Sequence, residues 1–508
     1  MLIVSGAQAA ARGAIVMVTS LLVGALAGLM AVAGGTKSLA VVPGLALVGA
    51  MILTPNSAMY AIVATTPINV EIAGPITVSR LAILLGAITV YVQAVRHQIA
   101  FPRLVIGWAG GLATAFFAWA LVATVAHGTG GLLGRFGPFL IFAAIFFVVL
   151  NYADSTARIR NLFVLLALVG LLQAFLVLAE AMFGFSPFTG WQQILQDDLA
   201  EGEVRVVGTS AHPIILAGFF QVVMGMTVML LLCGRDRRWQ LVCLAILGLS
   251  FVGWWLTFSR SSWIGTATML FVAMVLASRF TRRVAITGAI VGLAILSAFD
   301  FSPAKVISFV ESFGSISAAS ATAGVATGSE SFSWRTENWQ AAFAIFLDNP
   351  LFGAGLDASQ ALMLEYLPRG ALAHRFIGPE VPHNMFLLIL AETGLISFAL
   401  FVALWVYAFM SLARVFHMQR YRPFAIALAA IMAGQIATFF FNPIPREVWL
   451  TMALSMALGR AAQLERVSQA APAPSPAPSP AAQPQARQRQ ARSRRPVRRA
   501  TRTGSRPA

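Results

Sequence analysis

Residues 211–257 read AHPIILAGFFQVVMGMTVMLLLCGRDRRWQLVCLAILGLSFVGWWLT, two apolar segments of near-membrane length joined by the basic turn Arg235 to Arg238. A helix needs about 20 apolar residues to cross a hydrocarbon core. The same alternation of apolar run and polar or basic joint extends outward in both directions. Spans are expected near 14–34, 39–54, 57–70, 76–95, 104–126, 136–151, 160–182, 211–232, 239–257, 262–279, 283–299, 383–411, 422–441 and 445–462. The second and third are short and read equally as one helix broken around Pro55-Asn56. The fold class is therefore all-α: a polytopic integral membrane protein with about 12 to 14 transmembrane helices and one long external loop over 301–382.

Composition agrees. A chain of 508 residues that is 58% hydrophobic and 11% charged, with mean hydropathy +0.79, has more apolar surface than a soluble fold of that size can hide. The segment 14–34 is followed by further spans and lacks a cleavage site, so it reads as a retained helix. Two cysteines, Cys233 and Cys243, fall near the cytoplasmic side, where a structural disulfide is not expected. The formal charge of +16 is concentrated in the tail, where nine arginines from Arg487 to Arg506 follow the Pro/Ala/Ser run Ala471 to Pro480 without a single acid. Such a composition cannot bury a core and reads as a disordered cytoplasmic anchor for anionic membrane lipids, with no nucleic-acid partner implied.

Lys and Arg collect in short cytoplasmic joints. Arg96 to Arg103, Arg158 to Arg160, Arg235 to Arg238, Arg279 to Arg283 and Arg414 to Arg422 can all be cytoplasmic at once, together with the tail. The opposite joints are then Val70 to Ile76, His127 to Gly137, Phe183 to Ser210, Ser259 to Ser262, Phe301 to Pro382 and Asn442 to Glu447. Three regions follow: N-terminal helices over 1–182, a catalytic membrane region over 183–464 that includes the loop 301–382, and the tail 465–508. Within the loop, the Ser/Ala/Gly-rich stretch Ser312 to Ser333 is expected to be mobile. A helix is expected to start at Ser333-Trp334 and to stop at Asp348-Asn349-Pro350, before the turn Gly353-Ala354-Gly355.

An ionisable group at or in a membrane is a functional candidate unless it can snorkel to water. Arg260 lies in the short external turn Phe258 to Trp263, against the positive-inside trend. Arg335 opens the helix in the external loop. His383 and Asn384 begin the next span directly after Pro382, and Glu392 lies within it, about 13 Å deeper at 1.5 Å per residue. Arg205 and His212 precede Pro213, whose place in the first helical turn is structural. A structural reading stands beside each: a snorkelling helix end for Arg260, a solvated charge for Arg335, an interfacial N-terminus for His383, a buried acceptor for Glu392. No phosphate-binding Gly-rich loop, dinucleotide turn or CxxC pair occurs, and Asp197-Asp198 is too isolated for a metal site. A cytoplasmic ATPase, a redox enzyme and a metalloenzyme are disfavoured.

In order along the chain, Ser259-Arg260-Ser261-Ser262-Trp263, then Arg335 with Trp339, then Asn349-Pro350-Leu351-Phe352-Gly353-Ala354-Gly355, and finally His383-Asn384-Met385-Phe386 with Glu392-Thr393-Gly394-Leu395 resemble the O-antigen ligase and polymerase superfamily of membrane glycosyltransferases. The resemblance covers about residues 200 to 440 by motif. Arg205 to Pro213 is similar to a segment of polymerase-like members in which asparagine often follows the proline; here Ile214 stands there.

The resemblance implies a bacterial inner-membrane enzyme whose site faces the periplasm. It implies transfer of a glycan from undecaprenyl pyrophosphate to an acceptor hydroxyl, on lipid A–core or on another glycan, with no cofactor and no metal. His383 would be the general base, Arg260 and Arg335 would hold the pyrophosphate, and Arg205, His212, Asn384 and Glu392 would support them. Polymerisation of O-antigen, capsule or exopolysaccharide, and protein O-glycosylation, remain open within the family. From another class, a transporter or flippase for lipid-linked sugars would need charged groups along a path through several spans, and apart from Glu180 and Glu392 the spans offer little.

Overall fold

The computed structural model describes residues 57–69, 71–73, 76–95, 107–128, 132–183, 206–210, 212–234, 236–276, 328–367, 382–441 and 446–470. The spans expected near 14–34, 39–54 and 283–299, most of the Ser/Ala/Gly-rich stretch, Arg205 and the tail from 471 lie outside the described residues. The chain divides into two compact units, Met1–Ala462 and Gln463–Ala508.

Thirteen helices and one small strand pair make up the described residues. In order these are α1 (Ser57–Thr65), β1 (Glu71–Ala73), β2 (Ile76–Thr77), α2 (Val78–Val95), α3 (Trp108–Ala126), α4 (Leu132–Tyr152), α5 (Thr156–Phe183), α6 (Pro213–Cys233), α7 (Arg237–Trp255), α8 (Arg260–Leu276), α9 (Gly328–Asp348), α10 (Ala358–Tyr366), α11 (Met385–Val415), α12 (Arg422–Phe439) and α13 (Arg446–Ala470). Seven of them, α3 to α7, α11 and α12, are long and apolar enough to cross a membrane. The protein is a polytopic all-α membrane protein.

Between apolar helices in lipid, close approach rather than water exclusion drives association, and small residues permit it. The crossing of α6, α8 and α12 shows this. A Cβ on Gly265 of α8 would lie 2.8 Å from the Gly434 carbonyl of α12, and one on Gly434 would lie 2.5 Å from the Gly265 carbonyl, so both positions require glycine. Gln221 of α6 also packs at this crossing. A second nucleus is aromatic. Trp449 of α13, fully buried, meets Phe116 and Phe117 of α3 at 5.3 and 5.0 Å, Phe142 of α4 at 5.8 Å and Phe401 of α11 at 6.1 Å between ring centroids. From Val448 to Leu458 α13 is buried on every side, which makes it the central helix of the bundle.

The six joints expected to be external are linked at one end of the bundle. Arg446 donates to the Thr66 and Ile68 carbonyls at 3.3 and 3.4 Å and to Asn69 Oδ1 at 2.9 Å. Asn69 N–H donates to the Thr209 carbonyl at 2.8 Å, and Val206 N–H reaches the Leu256 carbonyl at 3.4 Å beside the α7–α8 turn. Arg335 stands over the Phe441 ring at 5.9 Å, and a Cβ on Gly355 would touch His127. These contacts join loops that are far apart in sequence.

Three boundaries differ from the sequence expectation. Helix α9 begins at Gly328, five residues before Ser333. Helix α13 continues to Ala470, past the 464 boundary. The joint after α1 forms the antiparallel pair β1–β2, in which Glu71 opposes Thr77.

Candidate functional site

Helix α11 is interrupted at Gly394, whose φ of 75° and ψ of −176° take it out of the helical region. A break inside a span releases backbone groups that lipid cannot satisfy. The turn after α9 supplies their partners: Leu395 N–H donates to the Pro350 carbonyl at 2.8 Å, Ala354 N–H to the Ala391 carbonyl at 2.8 Å and Gly355 N–H to the Glu392 carbonyl at 2.9 Å. Trp119 Nε1 of α3 donates to the Thr393 carbonyl at 3.3 Å, and its ring stacks on Phe352 at 5.0 Å. A Cβ on Gly353 would lie 2.3 Å from the Glu392 carbonyl carbon, and one on Gly394 would lie 2.2 Å from the Leu351 oxygen. The Asn349–Gly355 and Glu392–Gly394 motifs are thus two halves of one clasp.

The Glu392 side chain, 8% exposed, belongs to the same clasp. It accepts from Ser359 Oγ at 2.6 Å and from the backbone N–H groups of Asp357 and Ser359. The structural reading of Glu392 accounts for all of these contacts. Asp357, outside the spans, has φ 62° and a carboxyl held above the usual range, chiefly by burial and opposed by the Arg135 charge.

His383 stands just before α11. Asn384 is the N-cap, its Oδ1 accepting from Phe386 and Leu387 N–H at 3.0 and 3.1 Å, and it fixes where the helix starts. His383 itself has φ 45°. Positive φ in a bulky residue persists only when the surroundings over-determine it, and such positions concentrate at functional sites. Phe258, two residues before Arg260, also has positive φ, at 48°. The turn that carries Arg260 is braced by Trp255 and Trp263, stacked at 4.8 Å with their planes 2° apart.

Arg335 and residues that closely follow His383 and Arg260 pack at the Phe439 end of α12. Arg335 lies over Phe441, and Trp339, one turn along α9, packs on the same ring at 6.3 Å. Phe386, three residues after His383, packs on Phe439 and Phe440 at 5.9 and 5.3 Å. Gly265, just over one turn after Arg260, touches Thr438. The backbone start of α8, the Arg335 side chain and the start of α11 therefore surround residues 438–441.

His212 is accounted for differently. Its Nδ1 accepts from Ile214 N–H at 3.2 Å as the N-cap of α6, with Pro213 following. The segment before it is held to α5, with Glu180 Oε2 accepting from Val207 and Gly208 N–H at 3.1 and 2.8 Å and Gln173 Oε1 accepting from Thr209 N–H at 3.2 Å. Arg205 lies outside the described residues. Sequence reasoning missed Asn338, which is fully buried with both amide atoms lacking a hydrogen-bond partner. It stands three residues after Arg335, on the same helix face, and that spacing was the available signal.

No curated protein matches the chain. Residues 244–402, from α7 through the α8 start, α9, the clasp and His383 into α11, match the family model described as O-antigen ligase, and over this stretch the chain is similar to that family.

Proposed function

We propose that the protein transfers a glycan from undecaprenyl pyrophosphate to an acceptor hydroxyl at the periplasmic face of a bacterial inner membrane. The observation that carries this reading is the packing of Arg335 on Phe441, with Gly265 after Arg260 and Phe386 after the strained His383 packed on residues 438–440, the three candidates all lying in the stretch that matches the O-antigen ligase family model. His383 takes the proton of the acceptor hydroxyl as that oxygen bonds to the anomeric carbon, and the bond from that carbon to the phosphate oxygen breaks. The electron pair leaves with the pyrophosphate, whose charge Arg260 and Arg335 hold through guanidinium N–H groups. Attack from the face opposite the leaving group inverts the anomeric centre. Pyrophosphate is already a good leaving group, so the chemistry places no demand on a metal.

Within the superfamily we favour the ligase, with lipid A–core as acceptor, over polymerisation of O-antigen, capsule or exopolysaccharide. The flippase reading loses support because two of the few acids within spans, Glu180 and Glu392, are engaged in local hydrogen bonds. The deciding assay offers purified protein in liposomes an undecaprenyl-pyrophosphate glycan, with lipid A–core or a second lipid-linked glycan as acceptor. His383→Ala should slow transfer at least about 100-fold while the protein stays folded. Transfer at the wild-type rate in that variant would remove the mechanism, and passage of the donor across the membrane with neither acceptor used would replace the enzyme with a flippase.

A further inference from the structure

A pocket opens beside the head of α13. It is a cavity of ≈ 170 Å³ whose wall includes Thr66, Asn69, Arg80, Phe142, Ile215 and Glu447. Arg446 borders it too, but its guanidinium is committed to the Thr66, Ile68, Asn69 and Ser79 oxygens and fixes the wall. Glu447 is the opposite case. It is 1% exposed, and among the described residues no other residue gives its carboxylate oxygens a hydrogen bond, its own backbone N–H and the Arg446 charge being what lies beside it. A buried acceptor left without donors costs about 1–3 kcal/mol, and more when charged, so a group kept in this state is suited to a ligand that brings donors.

The wall restricts what that ligand is. Two arginines against one glutamate leave a positive balance, which disfavours a cation. A ligand here meets the Glu447 acceptor and the Arg80 guanidinium together, and neighbouring hydroxyls on one ring can donate to the one and accept from the other. A cavity of about 150 Å³ holds one benzene ring, so the size suits one six-membered ring. Phe142 and Ile215, with Pro67 and Pro138, offer apolar faces for the ring's C–H groups. We propose that this cavity is a glycan subsite that takes a single sugar ring, with Glu447 accepting its hydroxyl hydrogens. The subsite rests on the transfer reading and deepens it. The pocket lies five residues beyond Phe441, the ring under Arg335, so a lipid pyrophosphate held there is close in sequence to the wall that would read the attached sugar.

The test titrates undecaprenyl pyrophosphate, and the same lipid carrying a disaccharide, into the full-length protein in nanodiscs. Wild type should bind the glycosylated lipid more tightly. Glu447→Gln should reduce that advantage about tenfold or more, the loss expected for a hydrogen bond to a charged group, and leave affinity for the bare lipid unchanged. Ile215→Trp, which fills the cavity without touching the carboxylate, should do the same and decides the matter if Glu447→Gln fails to fold. Both variants retaining the full advantage would overturn the subsite while the transfer reading stands. If wild type binds neither lipid, the transfer reading falls, and methyl β-glucoside then judges the pocket alone. Thermal stabilisation of wild type but not of Glu447→Gln supports it, and equal response of the two proteins ends it.

Discussion

Glu392 and Glu447 are the same residue type at nearly the same burial, 8% and 1% exposed, in two regions with opposite accounting. Glu392 closes a clasp in which Ser359 and two backbone N–H groups satisfy its carboxylate and the neighbouring loop satisfies a broken helix. Glu447 faces a cavity, and among the described residues no other residue gives its carboxylate a hydrogen bond. Burial alone therefore does not separate a structural acid from a binding one in a membrane protein. Hydrogen-bond satisfaction does, because a partnered carboxylate contributes to folding while an unpartnered one costs free energy until something arrives.

The sharpest way to break this contrast is at the clasp's backbone. Gly394→Ala places a methyl group 2.2 Å from the Leu351 oxygen at a positive φ, and neither helix nor loop can yield without losing the hydrogen bonds between them. The expected destabilisation is about 3 kcal/mol or more, seen as a fall in the unfolding midpoint in mixed micelles. A glycine-to-alanine change that left the midpoint unmoved would mean that the clasp is not a structural element.

A smaller effect compares the two acids directly. Ser359→Ala removes the 2.6 Å donor to Glu392 and should cost about 1–3 kcal/mol, since the carboxylate stays buried with fewer partners. Glu447→Gln removes a buried charge that only the adjacent Arg446 and its own backbone N–H oppose and, without substrate, should leave stability within about 0.5 kcal/mol of wild type or raise it. Equal losses from the two substitutions would show that Glu447 is held by the protein after all, and the subsite would lose its basis.

Much of the fold was legible because spans announce themselves by length and apolarity. The expected 104–126, 160–182, 211–232 and 422–441 correspond to α3, α5, α6 and α12 within a few residues. The span expected at 445–462 likewise corresponds to the first part of α13; less legible was its continuation to Ala470, where a polar tail lowers the apolar average although Trp449 sits at the aromatic centre. The candidate site divides in the same way. His383 and Arg335 stood out as charges at helix starts. The partner of Glu392 is Ser359, 33 residues away in the external loop, and no periodicity joins two such positions. His212 drew notice as an ionisable group, yet its ring is a helix cap, a role shared by many polar residues. Arg446 and Glu447 were read as the edge of a joint, because a charge pair at a span end is ordinary and only the cavity beside it is not.

The smallest prediction concerns the rim of the clasp. Asp357 has φ 62°, a conformation that asparagine tolerates as well as aspartate does, so Asp357→Asn keeps the backbone and removes only the charge. Its carboxyl is held above the usual range mainly by burial, with the Arg135 charge opposing. A folded pKa above the unfolded value means that the folded state binds more protons in the interval between them. Stability therefore falls as pH rises from the unfolded value, about 4, through the folded one, and the penalty is complete above it. Near neutral pH Asp357→Asn should raise the unfolding midpoint slightly, and below about pH 4 the variant and wild type should coincide, because both side chains are then neutral. Unfolding midpoints of the two proteins across that pH range provide the check. A variant less stable than wild type at neutral pH would mean that the attraction between Asp357 and Arg135 outweighs desolvation, and the rim would then be held by that attraction rather than strained by a partly desolvated charge.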